Sequence, residues 1–120
     1  KDGKSFSMIA DQGMVDKTLK SQSGRSFVIK YVPVSNGCII LISEDSDQIG
    51  AISVSISSSN KSNTAKVISS KYDSIFINTI SEMVSRMKNG ICITSLYSLK
   101  QLTLDDMKII MDQIRDLTRA

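Results

Sequence analysis

The chain has 120 residues, 41% apolar and 22% charged, with 15 lysines and arginines against 12 acids and a net charge of +3. That is one domain with apolar content for a single core, and a positive charge too mild and scattered for the clustered basic stripe of a nucleic-acid binder. Histidine is absent, which removes the commonest general base and metal ligand, so no Ser–His or Cys–His nucleophile can be assembled from this chain.

The stretches SFSMIA and MVDKTLK each read as a strand, with GMVDKTLK pairing to RSFVIKYV through SQSG. Phe27, Ile29 and Tyr31 then alternate with Val28, Lys30 and Val32, which is period two. Pro33 ends or edges that strand, and Asn36-Gly37 suits the positive φ of a tight hairpin turn. CIILI, residues 38–42, is apolar on both faces and reads as a central strand. After the acidic stretch 44–48, strict alternation returns. Ile52, Val54 and Ile56 point one way and Ser53, Ser55 and Ser57 the other, which predicts a buried isoleucine face and a wet serine face. SSSNKSNT, 57–64, reads as a polar loop, followed by a short strand at 65–68.

The period then changes. Phe76, Ile80, Met83, Val84 and Met87 recur at three and four, predicting a helix over about 73–88. Asp73 or Ser74 caps it, and Asn89-Gly90 stops it. ICITSLY, 91–97, is another strand. The last helix, about 103–118, has Thr103 as N-cap and Asp105 and Asp106 at its positive end. Arg115 and Arg119 sit at its negative end, and its buried stripe is Leu104, Met107, Ile110, Met111, Ile114 and Leu117. The order predicts one α+β domain over 1–120: an antiparallel sheet or small sandwich of about six strands with two helices packed on it.

Asp45, Asp47 and Gly50 fall at the first, third and sixth places of a calcium loop. The fifth and twelfth places are Ile49 and Ile56, and no helix flanks the stretch, so it reads as a solvated turn. Glu44, Asp45, Asp47 and Gln48 become candidate partner-binding residues, because charged loops on a rigid sheet are where binding concentrates. Asp105 and Asp106 point to different sides of their helix, and no phosphate-cradling loop is present. Cys38 and Cys92 match no zinc or redox spacing and read as buried free thiols, with a disulfide as the other reading. No catalytic residue, cofactor or metal is expected, and no stretch is long and apolar enough to span a membrane. The helical methionines fill a core. The sharper alternative makes Phe76, Ile80, Met83 and Met87 a dimer interface, because a sheet apolar on both faces has more to bury than two helices cover.

In its order of pieces the chain resembles a family. NGCIILISEDSDQIGAISVSISSS resembles the central hairpin of the proteasome assembly chaperone 3 family. TAKVISSKYDSIFINTISEMVSRMKNG resembles its strand, loop and first helix, and NGICITSLYSLKQLTLDDMKIIMDQIRDL its closing strand and C-terminal helix. The resemblance runs from about residue 27 to 117 and is carried by hydrophobic pattern and element lengths. SSKYDSI is also similar to the related proteasome assembly chaperone 4 family. The resemblance implies a small non-enzymatic chaperone of cytoplasm and nucleus, needing no nucleotide or metal. It would work as a homodimer or with a chaperone 4-like partner, bind α-subunits of the 20S core particle and promote α-ring assembly. Residues 44–48 or the 57–64 loop would then contact the α-subunit. The other class open to this pattern is a scaffold or trafficking module of the longin, roadblock or profilin type; a roadblock module starts with a helix, whereas this chain starts with strands.

Overall fold

In the computed structural model, residues 13–59, 61–69 and 71–119 are described; the strand expected at 5–10 lies outside them. The order is β1 (Val15–Lys20), β2 (Ser26–Val34), β3 (Gly37–Glu44), β4 (Ala51–Ser58), β5 (Lys61–Ile68), α1 (Ser74–Lys88), β6 (Ile91–Tyr97) and α2 (Leu104–Arg119). The strands form a single sheet ordered β1-β2-β3-β6-β4-β5. This is the expected α+β class, with a mixed sheet in place of an antiparallel one, because β6 runs parallel to β3 and antiparallel to β4. The returning helix α1 makes that pairing possible: it carries the chain from the β5 edge back over the sheet, so β6 enters between two strands already laid down.

Local sequence accounts for the ends of the elements. Asn36-Gly37 turns β2 into β3, and a Cβ at Gly37 would run into the Ile91 backbone. At the end of α1, Asn89 adopts the left-handed conformation and Gly90 N–H donates to Ser85 O at 3.0 Å, the expected helix stop. Asp73 occupies the N-cap position of α1, but its carboxylate accepts from Leu102 N–H at 3.0 Å and makes no bond to the helix's own amides. The stretch read as a polar loop is the tip of the β4–β5 hairpin, since β5 already begins at Lys61. Serine, asparagine and threonine hide this strand from a hydrophobicity count because almost all of it is exposed.

Both helices lie on one face. Register sets Phe27, Ile29 and Tyr31 of β2 and Cys38, Ile40 and Ile42 of β3 on that face, where they form the core with Ile80, Val84, Ile110 and Ile114. Continuing across β6 and β4, the same rows hold Cys92, Thr94 and Leu96, then Ala51, Ser53 and Ser55. The serines of β4 are therefore buried beneath α1, and Ile52, Val54 and Ile56 point away from both helices. This reverses the expectation for β4, and the reason is chemical. Ser53 Oγ bonds Asn78 Oδ1 at 2.8 Å, while Ser85 Oγ bonds Ser55 Oγ at 3.0 Å and Ser57 Oγ at 2.7 Å. Ser81 Oγ meets Thr94 Oγ1 at 2.8 Å. A helix that supplies its own hydroxyls satisfies the strand's hydroxyls without water. Of the stripe expected on α2, Leu104 is 84% exposed, whereas Ile110, Ile114 and Leu117 are buried and Met107 and Met111 pack against the core.

Candidate protein-interaction surfaces

The acidic stretch does not act as one loop. Glu44 is the last residue of β3, only 4% exposed. Its carboxylate takes a bidentate pair from Arg25, Nε to Oε2 at 2.8 Å and Nη2 to Oε1 at 2.6 Å, plus the Leu99 N–H at 2.9 Å. Arg25 Nη1 reaches Asp106 Oδ2 and the Gln101 carbonyl, each at 2.9 Å, and Nη2 reaches the Lys100 carbonyl at 3.0 Å. All five guanidinium N–H groups are thereby used. Asp106, fully buried, also accepts from Thr103 N–H at 2.9 Å, and Thr103 Oγ1 accepts from Asp106 N–H at 3.1 Å, a reciprocal capping box. One cation thus ties the β1–β2 turn to the end of β3, the 99–103 segment and the start of α2.

The shared bonds set the protonation of these groups. The Arg25 hydrogen bonds, helped by Leu99 N–H and opposed by burial, hold the Glu44 carboxyl below the usual carboxylate range. For Asp106, burial is the largest influence and pushes upward. The Thr103 N–H, the Ser21 and Thr103 hydroxyls and the Arg25 charge together outweigh it, and the carboxyl is lowered. Glu44 is therefore a structural ion, and its place among the candidate partner-binding residues is corrected. Nothing in the sequence marked Arg25; its signal was a single charge inside a turn otherwise made of Ser, Gln and Gly.

The rest of the stretch stays outside. Asp45 turns the chain with φ +66°. Asp47 Oδ2 receives Lys30 Nζ at 2.9 Å, and Gln48 N–H donates to Ser43 Oγ at 3.3 Å. Gly50, which stood at the glycine place of a calcium loop, is required for a different reason: a Cβ there would collide with the Leu96 carbonyl of β6. Among the described residues no group of three or more His, Cys, Asp or Glu is placed to hold a metal ion.

The helix face proposed for dimerisation is also divided. Phe76 and Ile80 are buried, Ile80 completely, in the chain's own core, so they cannot meet a partner; this corrects half of that expectation. Met83 and the 44%-exposed Met87 line an open groove with Thr79, Glu82 and Arg86. Cys38 and Cys92 sit opposite each other on β3 and β6, buried as free thiols, and donating its hydrogen bond to Cys92, together with burial, pushes the Cys38 thiol up.

Among the described residues no helix packs on the other face of the sheet, whose apolar residues run from half-buried to exposed. Strand pairing aligns Val32, Ile39, Ile93, Val54 and Ala65 in one row across five strands. Beside it runs Lys30, Leu41, Ser95, Ile52 and Ile68, and further on come Ile91 and Ile56. A sheet with more apolar surface than two helices cover was expected from the sequence; its seat on this face was not, because the β4 isoleucines read as core.

No family profile and no curated protein matches the sequence. The fold, however, is similar to that of a solved structure described as a novel chaperone complex for yeast 20S proteasome assembly. The two share 12% sequence identity with a TM-score of 0.55, over 88% of each chain. The chain thus has a fold similar to that of a chain in a yeast 20S proteasome-assembly chaperone complex.

Proposed function

We propose that this protein is a non-enzymatic chaperone of 20S proteasome assembly that acts as a dimer and holds α-subunits while the α-ring forms. The observation that carries the reading is the open apolar sheet face on a fold similar to a chain from an assembly-chaperone complex. A sheet apolar on both sides needs a second layer on each. The helices supply one, and a second copy or a related small chaperone, packed sheet to sheet about 10 Å away, supplies the other. The exposed residues Asp45, Asp47 and Gln48 at one end of the sheet would meet a subunit, with Asp47 giving up or sharing its pairing with Lys30. Subunit capture is then differential binding to an assembly intermediate.

Sedimentation tests the dimer. The protein is expected to sediment at twice its 13.2 kDa chain mass, and Val54→Lys, in the middle of the open face, to sediment as a folded monomer. A Val54→Lys dimer would place the association surface elsewhere. Capture of proteasome α-subunits from lysate of the source cells, identified by mass spectrometry, tests the role. Membrane-traffic or cytoskeletal proteins in their place would make this a scaffold module instead.

A further inference from the structure

The two edges of the sheet are not alike. At one edge, β1 is six residues long, with Asp16, Lys17 and Lys20 spaced along it. At the other, β5 offers Lys61–Ile68, almost wholly exposed, and among the described residues no strand pairs with its outer side. Pairing with β4 is regular from Lys61 to Lys66, then slips between Lys66 and Ile68, so Val67 bulges and ends the stretch. Six regular residues present about 20 Å of unpaired backbone amides and carbonyls. Ser62, Asn63, Thr64 and Ala65 in its middle carry no charge.

Electrostatics select what could pair there. Lys61 and Lys66 have no ion-pair partner among the described residues, and Glu82, which accepts from Ser62 of β5 at 3.4 Å, is paired with Arg86 at 2.7 Å. Beside the start of β5 opens a cleft of about 370 Å³ lined by Ser57, Lys61, Arg86 and Asn89. The carbonyls at this end of α1 are partly satisfied by Asn89 and Gly90 N–H, which reduces their repulsion of an anion. Edge lysines repel a neutral or basic strand and so guard against self-association. They favour an acidic one.

We propose that the outer edge of β5 takes an extended acidic segment of a partner protein as an added strand, with one carboxylate of that segment seated beside Lys61 in this cleft. Main-chain pairing supplies affinity, and the two lysines supply choice of sequence. Only the identity of the partner rests on the chaperone reading; the edge and its charge stand without it.

The test titrates the isotope-labelled protein with a capped eight-residue peptide alternating glutamate with threonine and valine, followed by amide chemical shifts. The inference expects changes at 61–66 and 86–89. K61E/K66E should weaken binding about tenfold and take the lysine-for-glutamate peptide instead. A peptide of equal charge with proline at alternate positions should not bind, because it cannot donate to the edge. Absence of shifts at millimolar peptide, shifts centred on the α1 groove or the open face, or equal binding of the proline peptide would each overturn the proposal. In a parallel arm, an α-subunit captured equally by the native protein and K61E/K66E overturns the edge and leaves the chaperone reading standing. No capture by the native protein overturns the chaperone reading, and the peptide still decides the edge.

Discussion

Under α2 the sheet presents Phe27, Ile29 and Tyr31; under α1, at β4, it presents Ser53, Ser55 and Ser57. Both surfaces are dry, and both are covered by an amphipathic helix. The first is held by apolar burial and closed at its end by the Arg25 ion cluster, the second by a run of hydroxyl pairs. The contrast teaches that alternation in a strand reports two faces without saying which faces inward. The decision falls to the partner element, and α1 carries Asn78, Ser81 and Ser85 on the side that meets β4.

The largest effect should come from the apolar half. Arg25→Ala leaves Glu44 and Asp106 buried without their cation and should cost about 3–5 kcal/mol in denaturant unfolding; a loss no larger than that of a surface ion pair would show the cluster to be ornamental. Acid should act on the same place. Glu44 and Asp106 both titrate lower folded than unfolded. Their stabilisation is present above the ordinary carboxyl range near pH 4 and is lost as pH falls through the lower folded values. Stability of the native protein should therefore drop between about pH 5 and pH 2, and Glu44→Gln should flatten that slope.

The serine half should respond more mildly and in a less additive way. Ser85→Ala strands the hydroxyl of Ser57, leaves Ser55 only Thr64 Oγ1 at 2.9 Å, and should cost about 1–3 kcal/mol. The triple alanine variant at 55, 57 and 85 removes all three partners and should cost no more than the single change, a result additive pairs could not give. Smallest of all is Tyr31→Phe. The Tyr31 hydroxyl is the one buried side-chain polar atom without a hydrogen-bond partner among the described residues, so its removal should leave the melting temperature unchanged or slightly raised.

Most of the elements were readable from the sequence, the polar first half of β5 being the exception. Period two gave β2, Asn36-Gly37 its turn, and the three-four spacing of Phe76, Ile80 and Val84 gave α1. Thr103 marked the start of α2. Tertiary choices were not readable. Glu44 looked like a turn acid because its partner, Arg25, is nineteen residues earlier. Leu104 looked like core because it shares a period with Met107 and Met111, yet it sits in the first turn, beyond the sheet. The β4 serines looked wet because no count of hydrophobicity sees a hydroxyl satisfied by another hydroxyl. The parallel β3–β6 pair was hidden because chain order places β4 next after β3.

That last pairing has a consequence for how the molecule comes into being. Strands β1 to β3 form one local meander and β4 with β5 one local hairpin, but among the described residues the two pieces are joined by strand pairing only through β6, which is made last of the strands. A chain emerging from the ribosome holds two half-sheets with raw inner edges until residues 91–97 arrive to join them. Folding must wait for that insertion, the slow kind of step expected of non-local pairing. A chain cut short before Ile91 would be left with two open sheets and no way to close them.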